Sequence, residues 1–116
     1  GFIVTVEGKY GDAVYFRFHD PVDGKITKYN VIELIIQEKK EGNQWDVIWA
    51  LSGEQSIDEV QYGKKYEGFN EITQPRVLSL KGEYRVHVKD MPRFEPPGYG
   101  YARFTFNESG EIVMLR

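Results

Sequence analysis

Apolar residues recur at every second position along most of this chain, and Gly, Asn, Asp and Pro interrupt the alternation at short intervals. That period puts one face of an extended segment indoors and the other in solvent, so the chain reads as strands joined by tight turns. Phe2–Glu7 predicts a first strand, closed by Gly8 and Gly11. In Ala13–Phe18, Val14, Phe16 and Phe18 point inward while Tyr15 and Arg17 point outward, and His19–Gly24 turns the chain. The segment Ile26–Lys39 predicts one long strand with a bend, with Ile32, Leu34 and Ile36 on one face and Val31, Glu33, Ile35 and Gln37 on the other.

Glu41–Asn43 predicts a hairpin into Gln44–Leu51, where Trp45, Val47, Trp49 and Leu51 share a face by parity. Both tryptophans of the chain are therefore expected in the core. Ser52–Asp58 reads as a polar turn, with a single helical turn over Gln55–Val60 as the alternative, and Tyr62–Pro75 as a crossover loop. Beyond it, Tyr84, Val86 and Val88 point one way and Arg85, His87 and Lys89 the other. Ala102, Phe104 and Phe106 form the next inward row, Asn107–Gly110 a hairpin turn, and Ile112–Leu115 the last strand.

Leu80, the turn glycine Gly82 and then Tyr84 entering Val86 and Val88 have the layout of a tyrosine corner, a device of immunoglobulin-like domains. The expected fold class is all-β: an immunoglobulin-like antiparallel β-sandwich of about 7–9 strands. At 116 residues, the chain is expected to form a single domain spanning 1–116. Aromatic residues make up 15% of it, enough to fill one core with large side chains.

Charge and cysteine content narrow the chemistry. With 15 basic against 18 acidic residues dispersed along the chain, no basic footprint for a phosphate backbone exists, so no nucleic-acid partner is expected. The absence of cysteine excludes a disulfide, a thiolate metal site and a cysteine nucleophile within these residues. The histidines His19 and His87 both fall on outward faces, and nothing in their spacing joins them to carboxylates, so no metal is expected. Asp20 and Asp23 before Gly24 read as turn formers rather than calcium ligands, and Asn107-Glu-Ser109, although it fits a glycosylation sequon, as a hairpin tip. The serines lack a nucleophile-elbow context and no phosphate cradle is visible, so neither an enzyme nor a cofactor is expected.

The order Trp49, Val60-x-Tyr62-Gly63, Gly68-Phe69, Pro75-x-x-Leu78, Tyr84-x-Val86-x-Val88, Phe104-x-Phe106 and Gly110 resembles a pattern in small, uncharacterised predicted lipoproteins of Gram-negative bacteria. The resemblance covers roughly the second half of the chain. It implies an immunoglobulin- or fibronectin-like sandwich in the periplasm or at the outer membrane, held by a lipidated residue upstream, and carries no activity with it. In one place the chain departs from the pattern: Asp90–Gly100, a short link in those proteins, is long here and rich in Pro and aromatic residues.

That segment is the candidate binding element, with Arg93, Phe94, Tyr99 and Tyr101 as its contact residues. Prolines lower the entropy lost on ordering, and Arg and aromatic side chains are the usual interface anchors. The competing expectation is that Phe94 folds back over the core and Tyr99 pads a sheet edge. The functional expectation is a non-enzymatic cell-envelope domain that binds another protein through residues 90–101. Two alternatives stand beside it: a periplasmic immunity or inhibitor protein acting on a toxin or hydrolase, and a glycan-binding module built on Tyr15, Tyr99 and Tyr101.

Overall fold

The computed structural model describes all residues, Gly1–Arg116, and contains nine strands and no helix. In chain order they are β1 (Phe2–Gly8), β2 (Val14–His19), β3 (Tyr29–Lys39), β4 (Trp45–Ile57), β5 (Glu59–Gln61), β6 (Phe69–Thr73), β7 (Glu83–Asp90), β8 (Gly98–Phe106) and β9 (Ile112–Leu115). The all-β expectation therefore holds.

Hydrogen bonding links the strands in the order β5-β2-β1-β8-β7-β3-β4-β6, with β9 also paired to β8. All pairings are antiparallel except β1 with β8, which run parallel through Phe2↔Gly100 and Ile3↔Tyr101. The sheet is thus mixed and continuous where the sequence suggested a purely antiparallel arrangement. The parallel contact depends on Gly100: a Cβ there would come within 2.5 Å of the Phe2 ring and 2.7 Å of Val4. With no side chain at that position, the wings β5-β2-β1 and β8-β7-β3-β4-β6 join edge to edge and curl around one core.

Val4, Val6, Phe16 and Phe18 come to that core from the smaller wing, and Leu34, Ile36, Trp49, Tyr84, Val86 and Phe104 from the larger. Phe16 meets Phe104 across the interior at 6.1 Å, and Phe2 stacks on Tyr29 at 4.4 Å. The rows predicted for β2, β7 and β8 are all buried, because period two holds without interruption in those strands.

In β3 and β4 it does not hold. The pairing register slips between Val31 and Glu33, and Val31 rather than Ile32 is fully buried. A second slip lies between Ile36 and Gln37: Ile36 faces Trp49 whereas Gln37 faces Val47, so β4 carries one extra residue, Ile48. A bulge of this kind inverts the facing of every residue beyond it. Trp49 and Ile48 are consequently buried, while Trp45 lies only partly covered, with the Arg85 guanidinium 4.2 Å from its ring. The two tryptophans serve opposite faces of the sheet, a correction to the expectation that both fill the core.

Two loop assignments also change. Of Ser52–Asp58, read as a turn or helix, Ser52–Ile57 is the outer end of β4 and only Asp58 bends the chain into β5, and the crossover segment holds the edge strand β6, paired to β4 through Gly53↔Phe69 and Leu51↔Glu71. The turn chemistry was legible. Asp20 Oδ1 accepts from the Val22 amide at 2.8 Å and Asp23 Oδ1 from the Lys25 amide at 2.9 Å, while Asn107 Oδ1 accepts from the amides of Ser109 and Glu111, both at 2.9 Å.

Below the start of β7, the Ser79 amide donates to the Tyr84 hydroxyl at 2.6 Å, and that hydroxyl donates to Glu38 Oε2 at 2.7 Å. Tyr84 is fully buried, and burial pushes its phenol well above the ordinary tyrosine range. Burial alone would raise the Glu38 carboxyl, but hydrogen bonds from Lys40 and Tyr84 outweigh it and hold it below its ordinary value.

Candidate functional site

The segment singled out as a long loop is shorter in the structure. β7 runs to Asp90 and β8 begins at Gly98, so only 91–97 connects them. Asn30 of β3 fixes its entry: the Asn30 carbonyl accepts from the Met91 amide at 2.9 Å, and its side-chain amide donates to the Met91 carbonyl at 3.0 Å. Pro92, Pro96 and Pro97 fix φ at three of the connecting positions.

Arg93 and Phe94 form the tip. Phe94 does not fold back over the core; it is 89% exposed, with the Arg93 guanidinium 5.4 Å from its ring. Tyr99 and Tyr101 belong to β8 rather than to the loop, two residues apart and therefore on one face. They are 62% and 49% exposed. Cross-strand pairing sets Tyr99 beside Lys89, whose ammonium lies 5.8 Å from the ring, and Tyr101 beside His87, whose ring centroid is 5.0 Å away. On the other side of Tyr101 stands the exposed Ile3 of β1.

The four predicted residues thus fall into two groups on one end of the sheet: a tip of Arg93 and Phe94, and a strand row of Tyr99 and Tyr101. His87 and Ile3, which sequence reading left out of the site, extend that row. The signal for Ile3 was unreadable in sequence, since only the parallel pairing of β1 with β8 brings it there. Partial burial, and then the Arg85 charge, hold the His87 imidazole below its ordinary pKa, so at neutral pH the row presents a neutral ring beside Tyr101.

Tyr15 does not join the group. It sits on β2 opposite Glu7, at the far end of β1 from Ile3 and Tyr101, four residues or about 13 Å along the strand. A flat tyrosine platform containing Tyr15 is not formed. His19 is likewise separate: its ring bonds Thr5 Oγ1 at 2.8 Å and the Gly24 carbonyl at 3.0 Å, which anchors a turn. No group of three or more His, Cys, Asp or Glu side chains is gathered to hold a metal ion.

Two of the surface clefts stand out. One of about 300 Å³ lies between Tyr10, Tyr62, Val77, Leu78 and Phe106 and is mostly apolar. The other, about 410 Å³, lies beneath the β7–β8 connection, between Phe2, Tyr29, Asp90 and the prolines.

Comparison of the chain with known protein families, with curated proteins and with solved structures finds no match.

Proposed function

We propose that this chain is a non-enzymatic binding domain with an immunoglobulin-like β-sandwich fold, acting in the cell envelope of a Gram-negative bacterium and engaging another protein through residues 90–101. Two features support the fold. The one continuous sheet curls so that its β5-β2-β1 and β8-β7-β3-β4-β6 wings contribute side chains to a shared core, and the Ser79 amide donates to the Tyr84 hydroxyl as in a tyrosine corner. The envelope location rests on the resemblance carried by Trp49 to Gly110.

The binding reading is carried by Phe94. A phenylalanine left 89% exposed at the tip of a proline-stiffened connection loses hydration free energy with no internal packing to offset it. Contact with a partner recovers that loss, and the stiff connection lowers the entropy of ordering. Tyr99, Tyr101, Ile3 and His87 continue the surface along β8, giving an aromatic centre with Lys89 and Arg93 at its margin.

Affinity capture from a native envelope extract, with the wild-type domain beside the Arg93→Ala/Tyr99→Ala variant, tests this. A protein retained by wild type and lost with the variant is expected, while the melting temperature stays nearly unchanged because both side chains are exposed. A large drop in melting temperature would instead assign these side chains to packing. Recovery of a toxin or hydrolase as the captured protein would specify an inhibitor, for which the projecting Arg93–Phe94 tip is shaped to enter a cleft.

A further inference from the structure

Inward parity continues one residue past the apolar row of β7. Tyr84, Val86 and Val88 are buried, and the next inward residue is a carboxylate, Asp90, only 6% exposed. Gly98 is its cross-strand partner, and the carboxylate occupies the space a side chain there would fill. Asp90 Oδ1 is fully buried and has no hydrogen-bond partner. No ion pair reaches the side chain either. Asn30, the amide that pins the same connection, spends its side-chain donors on the Met91 carbonyl at 3.0 Å and on Glu54 at 2.8 Å.

A buried, unpaired carboxylate is among the most costly groups a small domain can carry. This one lines the cleft of about 410 Å³ under the connection, a volume suited to a small ligand. Asp90 and Glu95 are the charged side chains of that cleft, Gly1 and Gly98 contribute backbone to it, and its remaining walls are the rings of Phe2, Tyr29 and the three prolines. We infer that the cleft is a binding site for a primary alkylammonium group, with Asp90 accepting its N–H donors, Glu95 adding charge at the rim, and the rings holding the alkyl chain.

The donor set decides among cations. Calcium takes about six to eight oxygen ligands, which two carboxylates without further acidic neighbours do not supply. A quaternary ammonium carries the charge but has no N–H to donate to the Asp90 carboxylate. A primary ammonium brings three donors on a compact head. Such a group is offered by a free alkylamine and equally by a lysine side chain. The site lies on the inner side of the connection, beneath the exposed row of Tyr99 and Tyr101, and does not depend on the protein-binding reading.

Titration of the isotopically labelled 116-residue chain with n-butylammonium chloride at constant ionic strength, followed by amide chemical shifts, tests the inference. Saturable shifts confined to Phe2, Tyr29 and 90–98 are expected, with weaker response to tetramethylammonium and none to sodium. Nα-acetyl-lysine methylamide in a parallel arm distinguishes a lysine side chain from a free amine: binding as tight as butylammonium points to the former, steric exclusion to the latter. Asp90→Asn is expected to weaken binding about tenfold or more, the scale of a charge-assisted hydrogen bond. The same variant should melt at or above the wild-type temperature, since it removes an unpaired buried charge. Glu95→Gln, at an exposed position, is expected to weaken binding less and provides the reading if Asp90→Asn does not fold. Shifts that fail to saturate, that map elsewhere, or that persist unchanged in both variants would overturn the site. Since the purified domain alone is used, those results leave the capture experiment unaffected.

Discussion

Replacing Trp49 by Ala is expected to cost about 3–5 kcal/mol of folding stability, enough to lower the melting temperature by more than about 10 °C. Its ring is fully buried, touches Tyr62 at a centroid distance of 5.1 Å, and its indole N–H donates to Glu71 on the edge strand β6 at 3.1 Å. The substitution therefore opens a large cavity and also releases β6, which holds the sheet edge through few pairings. Trp45→Ala is the matched control. That ring lies outside the core against Arg85, and losing a partly exposed cation–π contact is expected to cost about 1 kcal/mol. Chemical denaturation of the two variants checks both values. Equal losses would contradict the bulge that sends the two rings to opposite faces.

Tyr84→Phe is expected to cost about 1–3 kcal/mol, because removing one oxygen orphans the Ser79 amide and deprives Glu38 of a donor. The ring itself would stay packed on Phe104, 5.2 Å away, so the loss isolates the hydroxyl. This deficit should depend on pH. Glu38 is held below its ordinary value of 4.5 in the folded state, so its contribution is present above that pH and is lost as pH falls through the lower, folded value. Without the Tyr84 donor the folded value rises back toward the ordinary one, and the pH-dependent contribution shrinks. The gap in melting temperature between wild type and Tyr84→Phe should accordingly be widest near neutral pH and narrow on acidification past 4.5, leaving the part due to Ser79. A gap that stays constant over that range would mean that the tyrosine and Glu38 are not coupled.

How far the sequence could be read differs from strand to strand, and bulges explain the difference. Parity assigned the inward residues of β2, β7 and β8 correctly because nothing interrupts their alternation. In β3 and β4 the same reasoning put Ile32 and Trp45 indoors, where the structure buries Val31 and Ile48 instead. A bulge is a property of two strands in register, so a single strand's alternation does not contain it. For the same reason Ser52–Asp58 read as a turn: its polar residues through Ile57 lie where β4 extends past the core to pair with β3 and β6, and backbone pairing needs no apolar side chains.

The candidate site shows the same division. Prolines, arginine and aromatics marked 90–101 as unusual, and Phe94 and Tyr99 are exposed. Their partition between a tip and a strand row, the addition of Ile3 and His87, and the unpartnered carboxylate of Asp90 were not legible. Each depends on a residue from another strand: Tyr101 on β8, Gly98 opposite Asp90, or Asn30 on β3.

By itself the sequence determined that this chain is all-β, where most of its turns fall, and that a tyrosine follows its turn glycine into a buried strand, because alternation and turn chemistry are local. Tertiary structure alone decided which tryptophan is core, how β1 joins two wings by lying parallel to β8, and that one carboxylate ends up beneath the connection without a partner. Those outcomes are set by register and close approach between segments distant in the chain, and such contacts leave no periodic trace in either segment.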